Sequence, residues 1–248
     1  MQQQIGILRS LITYYGNPLI SRRLRRLYSQ FLGPGDIYFD IGAHVGNRVR
    51  TAANLGARVI ALEPNPTLAA FLHRWYGNSD SISILQQGIG EHKGTATLFI
   101  SEQTPTVSSL SDSWIATVRQ DPSFEQVRWE SKITAEITTL DALVDNFGLP
   151  AFCKIDVEGY ELQALRGLSA PLPALSFEYL PATIDLALHC LERLEALGSY
   201  QYNWSVAEQF RLGSSTWLNS EEMAEQLSLT LSQGRSGDIY ARRIAVPD

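Results

Sequence analysis

The chain reads as an α/β protein built on a mostly parallel sheet covered on both faces by helices. Three observations predict this. From residue 36 onward, short apolar runs alternate with stretches of helical periodicity, the pattern of successive strand–helix units. The first run, Ile37–Ile41, leads straight into a glycine-punctuated turn, "DIGAHVG". The second run, "RVIALE", closes on an acid, Glu63, 21 residues after Gly42.

Taken in order, residues 5–32 read as helical, with a break where Gly16, Asn17 and Pro18 punctuate the chain. "GPGD" turns into the first strand. Residues 45–56 read as a helix stopped by Gly56, 58–63 as the second strand, and Pro66 opens a helix to about Tyr76. "SISILQQ" is a third strand and "GTATLFIS" a further extended piece. Residues 102–132 are polar, rich in Ser, Thr and Gln, with Pro105 and Pro122. A long irregular stretch inside a compact domain is usually a lid or mobile loop; a short helix is expected near 111–120. "KITAEITT" is a strand, and Thr139 is the expected N-cap of a helix over 139–148. Then follow the strand "AFCKID", a helix closed by Gly167, the strand "ALSFEYL", and a helix stopped by Gly198. "YQYNWSV", a late helix over 220–234 and a final strand "GDIYARRI" complete the pattern, with an antiparallel edge expected among the last strands. The economical division is a helical extension over 1–35 and one domain over 36–248.

Composition narrows the function. The 248 residues are 44% apolar and 19% charged, as in a soluble globular protein. Cys153 and Cys190 lie in apolar surroundings without metal-ligand spacing, so buried thiols in a reducing cytoplasm are expected. The opening MQQQ lacks the pattern of a signal peptide, and no apolar stretch is long enough for stable membrane insertion. A net charge of −6 argues against nucleic acid as a partner. One local exception is "SRRLRRLYSQFL", with Arg22, Arg23, Arg25 and Arg26 and no acid before Asp36. It reads as a solvated helix face, or as a dock for an acidic substrate, a partner or a membrane surface.

Ligands in such folds bind beyond the carboxyl ends of the strands, where strand order switches. The turn is D-x-G-x-x-x-G, one residue longer than the dinucleotide G-x-G-x-x-G and preceded by Asp40. A carboxylate is a poor neighbour for a pyrophosphate and a good one for a cation. S-adenosylmethionine carries an ammonium and a sulfonium and no phosphate, so the acid favours it over NAD, ATP or FAD. Glu63 stands where an acid accepts paired ribose hydroxyls, and Pro64 holds it extended. Asp156 arrives at the end of an apolar strand, with Glu158 and Gly159 at the following turn. Burying carboxylates is expensive unless they have a use. Here they could orient the ammonium, take a proton from a substrate hydroxyl, or cap the next helix.

The segments "YFDIGAHVGN", "VIALEPNP", "SSL" at 108–110, "TTLDAL" and "KIDVEGYELQALRGL" together resemble the FkbM family of S-adenosylmethionine-dependent methyltransferases, over roughly residues 36–180. The resemblance implies a class I methyltransferase fold, a Rossmann-like three-layer sandwich with a seven-stranded sheet and one antiparallel strand. It implies O-methylation of a hydroxyl on a sugar, polyketide or other metabolite. Asp40, Gly42 and Gly46 match the cofactor loop, Glu63 the ribose acid, and Asp156, Glu158 and Gly159 the family signature. The expected cofactor contacts are Asp40, Gly42, Ala43, His44, Gly46, Asn47, Glu63, Pro64, Asn65, Gln87, Gly88 and Asp156. "LQQGIG" departs from the family's usual Asn and small residue, which weakens the adenine assignment of Gln87 and Gly88. Asp156 is the first candidate for the base, Glu158 the second, and no metal is assigned. The rival readings are a cofactor-binding module without turnover and an N-methyltransferase. The acceptor pocket is expected between the 102–132 segment and the N-terminal helices, and the oligomeric state is not legible.

Overall fold

The protein is described by a computed structural model over residues 2–231 and 234–244. Helices α1 (Gln2–Tyr15) and α2 (Pro18–Tyr28) break where the Gly-Asn-Pro punctuation predicts. The Asn17 side chain accepts the Leu19 N–H at 3.0 Å, and Pro18 occupies the first turn, where its missing N–H costs nothing. Next come β1 (Ile37–Ile41), α3 (Asn47–Ala53), β2 (Arg58–Leu62), α4 (Pro66–Tyr76), β3 (Ile82–Leu85), β4 (Gly88–Ile89) and β5 (Gly94–Ile100). The polar segment then contains α5 (Asp112–Val118) and ends at β6 (Ser131–Thr138). Helix α6 (Leu140–Phe147) starts at Thr139, whose hydroxyl accepts the Ala142 N–H at 3.1 Å as expected. The rest is β7 (Phe152–Ile155), α7 (Glu161–Arg166), β8 (Ala174–Tyr179), α8 (Ile184–Leu197), β9 (Tyr200–Val206), α9 (Ser220–Leu231) and β10 (Gly237–Arg243). Of the helix expected over 220–234, residues 232 and 233 lie outside the described residues.

The main sheet has the order β3-β2-β1-β7-β8-β10-β9, and among its described strands only β10 runs against the rest. This is the class I methyltransferase arrangement. The reversed strand is not the edge itself: β10 is inserted between β8 and β9, because the long connection after β9 brings the chain back beside it. Outside β9, the returning chain pairs Leu218 with Tyr202 through two backbone bonds of 2.7 and 2.8 Å. Strand order switches between β1 and β7, which opens a crevice at their carboxyl ends.

A second, three-stranded sheet, β4-β6-β5, was not legible locally. Its antiparallel pair runs from Gly94 opposite Ile137 to Ile100 opposite Ser131, and closes the polar segment into a loop. That segment carries its own small core of Trp114, Ile115, Val118 and Trp129. The Trp129 Nε1–H donates to the Val107 carbonyl at 2.8 Å.

Apolar side chains fill both faces of the main sheet. One face packs Phe39, Ile41, Ile155 and Phe177 against α6, α7, α8 and α9. The other packs Tyr38, Phe152 and Tyr240 against Leu24 and Leu27 of α2 and Val49 of α3. Cys153 and Cys190 are free and buried. Lys154, in the centre of β7, is fully buried. It stands beside Ser176 of β8, and Ser176 stands beside Tyr240 of β10. The small serine lets the lysine reach across β8 to Asp238, at 2.5 Å.

Removing one partner of a buried ion pair leaves the other charge uncompensated, which costs about 3–5 kcal/mol. Lys154→Met should therefore lower unfolding stability in urea by that order. Lys154→Met combined with Asp238→Leu should recover a large part of it. A single substitution costing under about 1 kcal/mol would mean that Asp238 does not depend on the lysine.

Candidate active site

The glycine turn after β1 is shaped first by its protein neighbours. Gly42 has φ +87, and a Cβ there would collide with the Asp156 carbonyl oxygen. Backbone bonds fix this approach: Asp156 N–H donates to Ile41 O at 2.9 Å, and Gly42 and Ala43 N–H donate to Leu62 O at 3.0 and 2.9 Å. Gly46, at φ +76, would carry a Cβ into Tyr76 and Leu72 of α4. Both glycines are thus required for chain to meet chain, and only then for chain to meet ligand.

The crevice between β1, β2 and β7 forms a narrow cleft. Of the expected contacts, Gly42, His44, Glu63, Pro64, Gln87, Gly88 and Asp156 line it, as does Glu158, the second candidate base. Asn47 lines the adjoining cavity. Asp40, Ala43 and Asn65 are buried beneath the loops; Asn65 caps α4 by accepting the Thr67 N–H at 3.0 Å. Gly46 is buried at the α3 cap. Leu62, Ile89, Leu98 and Leu110 add apolar wall.

Glu63 is aimed by two backbone amides, from His44 and Asn65, each at 2.9 Å and each on a different carboxylate oxygen. Burial pushes its carboxyl up to about 7 against the pull of those amides. Asp40 accepts the Tyr38 hydroxyl at 3.0 Å on one oxygen. Its other oxygen is buried without a hydrogen-bond partner among the described residues. Burial raises Asp40 to about 6, although Arg48 opposes the shift. His44 sits at φ +48 under α1, where Ser10 Oγ is 3.4 Å from its Nε2 and Tyr14 meets its ring edge-on. Burial lowers its pKa to about 4, so it is neutral at physiological pH.

Beside the cleft lies a cavity lined by Tyr14, Arg48, Asp156, Glu158, Glu178 and Glu208, with His44 and Thr106 at its rim. Asp156 is 2.8 Å from Arg48 and 3.6 Å from Lys154. Burial raises its pKa, but the two cations outweigh burial and hold the carboxyl below its ordinary value. Glu158 moves the other way. Burial, then repulsion from Asp156 and Glu161, lifts it well above the usual range. Glu178 is raised by burial and by Glu158 and Asp156. Oxygens of Asp156, Glu158 and Glu178 lie within 4.8 Å of one another, a spacing that a divalent cation could bridge.

The turn that presents Glu158 is strained and pinned. Glu158 has φ +51, rare for a residue with a side chain, and Gly159 has φ +89. Ser109 donates to the Glu158 carbonyl at 2.6 Å, which gives the "SSL" segment its role. Glu161 Oε1 accepts from Val157 N–H and Gly159 N–H at 3.2 and 3.3 Å. Trp114 of α5 packs so closely on Gly159 that any Cβ would collide with its ring. The polar segment therefore rests directly on the signature turn.

The donor set fits a cationic nucleoside. Glu63 stands at the cleft to accept hydroxyls, the apolar walls suit a flat ring, and the carboxylate oxygen of Asp40 left unpaired below the loop suits a cation. Sequence reasoning missed Tyr14, Arg48, Lys154, Glu178 and Glu208. Lysine inside the apolar run "AFCKID" was the available signal.

The profile of the methyltransferase FkbM domain matches residues 40–183, more than half of the chain. A curated relative from Haloferax volcanii, hexuronic acid methyltransferase AglP, is 26% identical over 148 residues, covering 57% of this chain and 54% of the relative. The chain thus spans about half the length of that relative. Among solved structures, a TehB-like SAM-dependent methyltransferase from Corynebacterium glutamicum aligns with TM-score 0.48 and 12% identity, over 96% of this chain and 94% of that one. An O-methyltransferase from Bacillus cereus in complex with SAH aligns with TM-score 0.46 and 11% identity, over 96% and 90%.

The raised carboxyls make a stability prediction. Asp40, Glu63 and Glu161 stand at about 6, 7 and 7 in the folded protein, against ordinary values of 3.8, 4.5 and 4.5. The native state holds protons that the unfolded chain releases between those limits, so ligand-free stability should fall as pH rises from about 4 to 7. Glu63→Gln should remove roughly 2–3 kcal/mol of that fall, measured by urea unfolding at pH 5 and 7.5. An unchanged pH dependence would mean that Glu63 ionises freely.

Proposed function

The chain belongs to the FkbM family of methyltransferases, and on that footing we propose that it transfers the methyl group of S-adenosylmethionine to a hydroxyl oxygen of a small acceptor, sugars first among them. Bound in the cleft, S-adenosylmethionine supplies an electrophilic methyl on a cationic sulfur. Every other requirement falls to the chain. Glu63, held by two amides, accepts the ribose hydroxyls. The apolar side of the cleft takes the adenine, with Gln87 and Gly88 at its edge. The excess of carboxylates around Asp40 and Asp156 receives the positive charge.

The observation that carries the reading is the contrast between Asp156 and Glu158. Arg48 and Lys154 keep Asp156 ionised and make it a weak base, so its role is to position Arg48 and attract the cation. Glu158 has the raised pKa that a proton acceptor needs. In the field of a bound cation Glu158 ionises more readily and can take the hydroxyl proton. The base is therefore assigned to Glu158 in preference to Asp156. The 102–132 segment and α1 are assigned the acceptor side, since Thr106 and Tyr14 both reach the acidic cavity. The hexuronic acid methyltransferase relative supports a sugar acceptor.

Formation of S-adenosylhomocysteine, scored over neutral sugars, uronic acids and polyketide-like alcohols, tests the reaction and supplies an acceptor. With it, Glu158→Gln should slow single-turnover transfer roughly 100-fold or more and barely change S-adenosylhomocysteine affinity. Asp156→Asn should act mainly on cofactor affinity. A full rate in Glu158→Gln, with Asp156→Asn inactive at saturation, would return the base to Asp156. Hydrogen exchange should slow across 102–132 when cofactor and acceptor are both present, and unchanged exchange would count against closure of that segment.

A further inference from the structure

A second concave site lies beside the acidic cavity and has the opposite charge. It is an open groove between α2 and the chain that follows β9. Arg23 and Arg26 come from α2, and Arg211 from the opposite wall. None of its lining residues is acidic. The three guanidinium groups make no ion pair among the described residues. Three unneutralised arginines facing one groove, in a chain of net charge −6, are not explained by folding.

The remaining lining chemistry is that of a sugar site. Gln30 and Gln209 offer amides, Ser214 and Ser215 hydroxyls, and Trp217 an indole edge in a groove floored by Leu27 and Phe210. Arg242 stacks on Trp217 at 4.1 Å and fixes the ring. The groove is concave, which suits a soluble chain of rings and not a flat bilayer. Arginine matches carboxylate and phosphate with paired N–H donors.

The two sites share a wall. Glu208 faces the acidic cavity, and the next residues, Gln209 to Arg211, line the groove. At this corner Ala207 and Phe210 both hold left-handed backbone, at φ +44 and +48, and Phe210, only 4% exposed, anchors it in the core. Such conformations persist in side-chain-bearing residues only where packing fixes them. On the other wall, α2 follows α1, whose Tyr14 lines the acidic cavity.

We propose that the groove binds an anionic group, carboxylate or phosphate, on an acceptor of more than one sugar ring whose reacting hydroxyl lies in the acidic cavity. This rests on the hydroxyl-transfer reading above and adds the acceptor's charge and reach. The methyl-transfer cavity, lined by four carboxyl groups and by one arginine already paired with Asp156, offers an anion no free cationic partner. The arginines hold the anionic group around the corner from that cavity and so select which hydroxyl enters.

The test is direct binding to the whole protein, by calorimetry, of inorganic pyrophosphate, of a disaccharide ending in glucuronic acid, and of the matching neutral disaccharide. One or both anions should bind saturably with one-to-one stoichiometry, and the stronger of the two identifies the group as phosphate or carboxylate. The neutral sugar should bind at least about tenfold more weakly, the scale of a lost charged hydrogen bond. Arg211→Gln, and separately the pair Arg23→Gln and Arg26→Gln, should each weaken the anion about tenfold or more while S-adenosylhomocysteine affinity stays unchanged. These substitutions lie on two segments, so the reading survives if one variant loses its fold. Equal anion binding by wild type and both variants would overturn the proposal. So would arginine-dependent co-sedimentation with phosphatidylglycerol vesicles in the absence of soluble-anion binding, which would make the face a lipid dock. Failure of S-adenosylhomocysteine to bind wild type would instead sink the methyltransferase reading and leave the groove's anion binding to stand or fall alone.

Discussion

The buried ammonium of Lys154 organises the rest of the site. It sits in the middle of a parallel strand, where a charge is tolerated only if paired. Its partners are Asp238, two strands away, and Asp156, two residues on, which Arg48 of α3 meets from outside. This chain of alternating charges ties β7 to the reversed strand β10 and to the helix after the glycine turn. It also divides the labour between two neighbouring carboxyls. Asp156 keeps its charge because two cations face it; Glu158 gains proton affinity partly because Asp156 keeps its charge. Lys154 and Arg48 thus set one acid low, while burial, and after it the charge kept on Asp156, set the next one high against the pull of the same two cations.

Close backbone approach is the second constraint, and it depends on the first. Gly42 lies against the Asp156 carbonyl, and Gly159 lies under Trp114. The left-handed Glu158 between them is held by Ser109 from the polar segment. The signature turn is therefore clamped from below by the β1 loop and from above by α5. A residue in the 102–132 segment can alter the acid at 158 without touching a ligand, because both share one hydrogen-bonded turn. That coupling places the acceptor-facing surface and the acid under common mechanical control.

The alternation of strands and helices, the break at Gly16, Asn17 and Pro18, the cap at Thr139 and the acid at Glu63 were legible because each is encoded within a few residues. Glycines at 42 and 46 were legible as close approaches, but the neighbours they meet are Asp156 and α4, far along the chain. The second sheet escaped local reading because its register joins residues 94–100 to 131–137 across a segment with no alternation. The charge chain escaped for the same reason: Asp238 lies 84 residues from Lys154. "AFCKID" was read as an apolar strand, and its lysine was given no part. A buried strand that tolerates lysine must supply an anion, and that anion is found only once the strand order is known. Glu178 and Glu208 were passed over because they end strands whose carboxyl edges could not be placed beside Asp156 from sequence.

The two concavities divide the molecule's charge in a way that net composition conceals. A balance of −6 argued against polyanionic partners, yet the acids concentrate where a cationic cofactor fits and three arginines stand apart on one groove. Placing carboxyl groups on one side of the 207–210 corner and unpaired arginines on the other gives an asymmetric ligand one favourable direction of entry. Reversing it would leave the arginines unpaired and the anion among carboxyl groups whose one arginine is already taken by Asp156. Such an arrangement discriminates by withholding a partner as well as by attraction. Specificity here is a property of the field across the corner, and so depends on the same packing that fixes Phe210 in its left-handed turn.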